Sequence, residues 1–240
     1  MELPGTQSVC LTGTPGGFSL RTFLIAGILF LLSQYPDNKT KTTKPPAASG
    51  SATEAESTPA NSPDDRSNSP SYTADGKLRP PTDYRQWIYL TSGIDMSYSP
   101  KPEMAGHSMF DNVFVNPAAY RDFVKTGTWP DKTVMVLEVR SAESKGSINK
   151  TGHFQGTEIM GFEVHVKDEA RTPGQWAFYE FDNESPAEMV PRTATCYSCH
   201  EQHAAVATTF VQFYPTLLKV AREKHTLSAE YLKEEASVKP

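Results

Sequence analysis

Apolar positions come in distinct blocks along the chain, and each block predicts a different kind of element. Thr22 to Leu32 (TFLIAGILFLL) form an uncharged, largely apolar run, preceded by Arg21 and closed by Gln34-Tyr35-Pro36-Asp37. This length suits the core of a signal peptide and falls short of the roughly 20 residues that span a bilayer comfortably. A buried core helix is disfavoured, because the polar stretch on its C-terminal side is not a domain that could cover it. No small-x-small cleavage site comes after the run, where the residues are Ser33-Gln34-Tyr35. Residues 1–37 are therefore expected to be a signal peptide or an uncleaved signal anchor, and export is implied either way. Lys39, Lys41 and Lys44 come after the run, although the positive-inside tendency would put cations before it. Apolar patterning then disappears, with no Phe, Trp, Ile or Val from Asn38 to Thr82. Such a stretch cannot bury enough apolar surface to offset an ordering entropy of about 1–2 kcal/mol per residue. Residues 38–82 are expected to be a disordered Ser/Thr/Pro-rich tether.

Periodicity returns at Asp83. Pro81-Thr82-Asp83 precedes Tyr84, Trp87 and Ile88, an i, i+3, i+4 stripe that predicts a short N-capped helix. The segment Asn116 to Gly127 predicts a second helix, with Asn as N-cap, Pro at the first helical position and Gly past the end. Strand-like runs lie at Met109 to Val115, Thr133 to Arg140, Thr157 to Lys167 and Trp176 to Asp182. Alternation is clearest where Phe162, Val164 and Val166 interleave with Glu163, His165 and Lys167. Helix returns from Cys196 to about Val206 and from Pro215 to Lys224. The expected fold class is α+β, mostly β: an antiparallel sheet with peripheral helices over residues 83–225, followed by a charged C-terminal tail at 226–240.

Composition sharpens this division. Of 240 residues only 38% are hydrophobic, below the roughly 45–50% of globular chains, as expected if the first third lies outside the domain. About 140 residues suffice for one domain that buries most of its unfolded surface. The net charge is −5, from 23 Lys and Arg against 28 Asp and Glu, and there is no basic block. Nucleic-acid binding is thereby excluded, since neutralising phosphates needs clustered positive charge. Three cysteines cannot form the disulfide scaffold of a secreted mini-protein. Cys10 lies ahead of the apolar run; the other two stand in Cys196-Tyr197-Ser198-Cys199-His200.

Cys-x-x-Cys-His is the attachment signature of a c-type haem, and the spacing explains why. At about 100° per helical residue, Cys199 and His200 fall on the same side as Cys196. Two thiols can then add to the vinyl groups on one porphyrin edge while His200 brings an imidazole under the iron. Three other readings use the same residues. Cys196, Cys199 and His203 could contribute to a structural zinc site, but no second Cys pair or close His pair supplies the fourth ligand. A thioredoxin-like dithiol would sit near a βαβ pattern, whereas these strands read antiparallel. A disulfide between cysteines three apart on a helix closes a very small, strained ring.

From about Tyr84 to Leu218 the chain resembles the cytochrome P-460 family, which are exported mono-haem c-type cytochromes. The resemblance runs through Tyr84-Arg85-Gln86-Trp87, Val115-Asn116-Pro117-x-x-Tyr120, Thr126-Gly127-x-Trp129-x-Asp131-x-Thr133-Val134, Gly161-Phe162-Glu163-x-x-Val166-Lys167-Asp168, Gly174-Gln175-Trp176-Ala177-Phe178-Tyr179-x-Phe181, the haem motif and Phe213-Tyr214-Pro215. It implies a mostly β fold, a homodimer and one covalent haem c on Cys196 and Cys199 with His200 as axial ligand. The family has two branches. One oxidises hydroxylamine at a haem bonded to a lysine; the other, the β-type cytochromes c′, lacks that bond and binds nitric oxide or carbon monoxide beneath an aromatic cap. Leu137 occupies the position of the cross-linking lysine and has no nucleophilic atom. Glu163 matches the catalytic carboxylate and is a candidate proton relay; the competing reading is a solvent-facing strand glutamate. Phe110, Phe114, Trp129 and Leu137 are candidates for the distal pocket, and His203 for the surface or a haem propionate.

The leading expectation is a periplasmic or extracytoplasmic cytochrome, tethered to the inner membrane if the anchor is retained, that binds a small diatomic ligand or transfers electrons to a redox partner. The alternative is a hydroxylamine-type nitrogen oxidoreductase using Glu163, and a zinc module is the remote third.

Overall fold

Runs of alternating side chains become five strands: β1 (Ile88–Ile94), β2 (Met109–Val115), β3 (Thr133–Glu143), β4 (Phe154–Lys167) and β5 (Trp176–Glu180). They pair in sequence order as one antiparallel sheet. The structure is a computed structural model that describes residues 68–97, 108–182 and 184–238. The expected signal segment at 1–37 with Cys10 and the tether up to residue 67 lie outside the described residues. Among those described, no helix is long and apolar enough to cross a membrane.

The register determines which side chains share a face. Val113, Leu137, Glu163 and Glu180 stand opposite one another across β2 to β5, and Val115, Met135, His165 and Phe178 form the neighbouring row. Because side chains alternate with period two, Phe114, Val136, Val164 and Tyr179 occupy the other face. Each face has its own core. On the first, Val115, Met135, Trp176 and Phe178 pack against α1 (Pro117–Thr126), α2 (Thr195–His203) and α3 (Pro215–Glu223) through Ala119, Phe123, Tyr197, Leu217 and Ala221. On the second, Val134, Val136, Val164 and Val166 are covered by Leu78, Tyr84 and Trp87.

The mostly β, antiparallel architecture with peripheral helices is as expected, and local differences have local causes. Tyr84, Trp87 and Ile88 do not share a helix. Tyr84–Gln86 is a single 3-10 turn that buries Tyr84, and Ile88 begins β1. Residues three apart nearly eclipse in a 3-10 turn, so Tyr84 and Trp87 reach the same core without an α-helix. α1 forms as expected, with Gly127 at φ 76° donating its N–H to the Phe123 carbonyl at 2.7 Å. Asn116 stands at the N-cap position but makes no side-chain cap hydrogen bond. Its Oδ1 instead accepts from the Val134 N–H at 3.0 Å, tying the helix start to β3.

The packed domain also begins upstream of Asp83. Leu78 is 1% exposed and exchanges two 2.9 Å backbone hydrogen bonds with Ala187, while the Trp87 indole donates to Asn68 Oδ1 at 3.0 Å. Within 226–240, Ala229–Val238 form α4. Tyr231 packs on the first core, and Arg222 grips Glu235 through both guanidinium nitrogens at 2.7 and 3.2 Å.

Candidate functional site

The rotation of α2 over the sheet is set by one buried tyrosine. The Tyr197 ring stacks on Phe178 with centroids 4.3 Å apart and planes 2° from parallel. Its hydroxyl accepts the Phe178 N–H at 3.0 Å and donates to the Val190 carbonyl at 3.1 Å. With Tyr197 fixed, the helix period puts Cys199 on the side away from Tyr197 and leaves Cys196 and His200 between the two, His200 still reaching Phe178. Both thiols are free and half-buried, and burial pushes the Cys199 thiol above its ordinary pKa.

His200 lies in an aromatic enclosure, with ring centroids 4.3 Å from Phe210, 4.8 Å from Phe178 and 5.0 Å from His165. Its Nδ1 is 2.8 Å from the Thr208 carbonyl. A carbonyl only accepts, so Nδ1 carries the proton and Nε2 keeps its lone pair. Burial lowers the pKa of His200 against the opposing pull of that carbonyl, which favours the neutral, metal-ligating imidazole. His165 stacks on Phe178 at 4.0 Å, and burial, then His200, holds it well below the usual histidine range.

The sheet brings Leu137 and Glu163 together as cross-strand neighbours on the face covered by α2. Glu163 is not a solvent-facing strand glutamate. It is half-buried, and burial, then the Glu180 and Asp111 carboxylates, push its pKa up to about 7. Burial and Asp95 likewise push Asp111 up to about 6. A carboxyl with this pKa exchanges a proton near neutral pH, as a relay requires.

The proposed aromatic cap does not assemble. Phe114 packs edge-on against Tyr84 and Tyr89 on the opposite face, with centroids at 5.5 and 5.8 Å, and the alternation of β2 puts Phe110 on the same side. Trp129 is a core residue 4.1 Å from Phe123, and its indole donates to Thr209 Oγ1 at 2.8 Å. Cap assignment from the sequence lacked the strand register, which decides the face. The residues that do surround His200, namely Phe178, Phe210, His165 and Thr208, carried one legible signal: His165 and Phe178 alternate with core valine and tyrosine on two predicted strands. His203 is exposed, with Nδ1 3.3 Å from the Glu234 carboxylate. Among the described residues, no group of three or more His, Cys, Asp or Glu is arranged to hold a metal ion, so the zinc reading finds no ligand set there.

A neutral imidazole enclosed by aromatic rings, on a helix that also carries two free thiols, suits a haem-binding cytochrome. The family model described as Cytochrome P460 matches residues 81–211, more than half of the 240-residue chain, and the protein belongs to the cytochrome P460 family. No curated protein matches the chain. The family implies a haem cofactor, and these residues fit one: His200 Nε2 is unengaged by the Thr208 carbonyl, and the ring is surrounded by Phe178, Phe210 and His165.

Proposed function

We propose that this protein is an exported c-type cytochrome. One haem is held by thioether bonds to Cys196 and Cys199, each thiol adding across one vinyl group, with His200 Nε2 as axial ligand. The opposite position takes a small diatomic ligand such as nitric oxide or carbon monoxide. The observation that carries this reading is the 2.8 Å hydrogen bond from His200 Nδ1 to the Thr208 carbonyl, beside two free cysteines on the same helix. Bound there, haem supplies an iron centre that takes diatomic or nitrogen-oxide ligands and exchanges electrons. His165 supports the open position, since it packs edge to face on the His200 ring itself. Leu137 presents an aliphatic wall where a cross-link would need a nucleophile. Glu163 holds a proton that it can share with a bound ligand. A homodimer and an N-terminal tether to the inner membrane complete the proposal.

One observation favours a second reading, a hydroxylamine-type nitrogen oxidoreductase: the Glu163 carboxyl, raised to about 7 by burial and two neighbouring carboxylates. Optical spectra of the purified holoprotein with and without carbon monoxide or nitric oxide test the first reading. A ligand-induced shift is expected; a six-coordinate, low-spin spectrum indifferent to both gases would refute the open position. Hydroxylamine turnover with an electron acceptor, lost in Glu163→Gln, would favour the second. Mass spectrometry adds an independent check, because a porphyrin held only by Cys196 and Cys199 is released by thioether chemistry, whereas a third bond would retain it.

A further inference from the structure

The carbonyl that holds His200 belongs to an unusual turn. Ala207 and Thr208 both have left-handed backbones, at φ 45° and 60°, a region that non-glycine residues rarely adopt and that persists only where surrounding contacts impose it. They are the central pair of a four-residue turn whose ends, Val206 and Thr209, are bridged by Thr209 N–H to Val206 O at 2.8 Å and Val206 N–H to Thr209 O at 3.3 Å. Positive φ at both central residues is the type I′ pattern, which ordinarily uses Asn-Gly. Ala-Thr has neither the glycine nor the asparagine that would make this shape intrinsically favourable.

The imposing contacts converge on Thr209, 2% exposed. Its Oγ1 donates to the Val206 carbonyl at 2.6 Å and accepts the Trp129 indole N–H at 2.8 Å. Trp129 is itself immobilised: its ring lies against Phe123, and its carbonyl accepts from Lys167 Nζ at 2.8 Å. A continuous chain of bonded groups therefore runs from the first core through Trp129 and Thr209 to the Thr208 carbonyl and the His200 imidazole.

We propose that Trp129 and Thr209 are positioning residues for the haem iron, acting through the Ala207–Thr208 turn to hold the Thr208 carbonyl on His200 Nδ1. The inference rests on His200 being the axial ligand. A carbonyl bonded to Nδ1–H makes the imidazole a stronger donor through Nε2, and such outer hydrogen bonds are one of the protein's levers on iron potential. Loosening the brace weakens donation to iron and favours the ferrous state.

The test uses holoprotein variants Thr209→Val, Thr209→Ser and Trp129→Phe, read by the iron–histidine stretch in resonance Raman spectra of the ferrous, ligand-free form and by the midpoint potential. Thr209→Val and Trp129→Phe are expected to lower the stretching frequency and raise the potential, and Thr209→Ser to restore both. Trp129→Phe keeps an aromatic ring on Phe123, so it decides the matter even if Thr209→Val does not fold. Unchanged frequency and potential in Trp129→Phe, whatever its melting temperature, would overturn the proposal. Absence of any iron–histidine band from an unmutated holoprotein whose ferrous haem is five-coordinate and high-spin would instead overturn the axial-ligand reading beneath it.

Discussion

Replacing Glu163 with glutamine removes a carboxyl that the fold keeps protonated well above its ordinary range, and the consequence for stability can be worked from its surroundings. Burial, then Glu180 and Asp111, raise its pKa from 4.5 to about 7. At about 1.4 kcal/mol per pH unit, ionising Glu163 in the folded protein costs about 3 kcal/mol more than in the unfolded chain. Because the folded pKa lies above the unfolded one, full stability is present below about pH 4.5 and is lost as pH rises through about 7. Asp111, raised to about 6 from 3.8, contributes a similar loss at lower pH, so the interval from about pH 6 to 8 isolates Glu163 best. Urea denaturation of the holoprotein and of Glu163→Gln at several pH values measures the difference. The unmutated protein should lose about 1 kcal/mol across that interval, after about 2 kcal/mol lost between about pH 4.5 and 6, while the variant stays nearly flat and is about 3 kcal/mol the more stable above it. Equal slopes in both would mean that Glu163 titrates as a solvated carboxylate, and the relay argument would fail with it.

Other substitutions probe the same frame. Leu137→Lys places an amine directly across the strand from Glu163, which should move ionisation of the carboxyl down by roughly 1–3 pH units and flatten the same urea series. On the opposite face, Glu138 is 1% exposed. Burial pushes its pKa up, but hydrogen bonds from Arg140 and Tyr84, with Arg85 nearby, hold it below the ordinary value. Glu138→Ala strands the mostly buried Arg140, and an equilibrium unfolding loss of about 3–5 kcal/mol is expected. Leu78→Ala should cost about 2–5 kcal/mol, and a chain beginning at Asp83 should be destabilised at least as much by the same urea assay, because the core covering β3 and β4 starts upstream of that residue.

What could be read from the sequence divides by the distance over which each feature is determined. The Cys196 to His200 motif is local, and helix α1 carries its own start and stop signals in Pro117 and Gly127. The sheet was legible as alternation within β2 to β5. β1 was hidden because Tyr84, Trp87 and Ile88 imitate a helical stripe while serving a 3-10 turn and a strand. Leu78 stands in a stretch otherwise poor in large apolar residues, and its bridge to Ala187 ties that stretch to the second core. The faces of Phe110 and Phe114 depend on strand register, and the role of Trp129 depends on a hydrogen bond to Thr209, 80 positions away. Neither leaves a local trace. Glu163 was ambiguous for the same reason: only the strand register shows that it stands beside Glu180 on the half-buried side of the pleat.

The pyridine haemochrome spectrum of the purified protein after acid–acetone extraction tests the central claim most directly. Attachment through Cys196 and Cys199 predicts one haem per chain, a c-type haemochrome, and pigment that stays with the polypeptide. Haem that passes wholly into the acetone, or a preparation containing zinc and no iron, would contradict it.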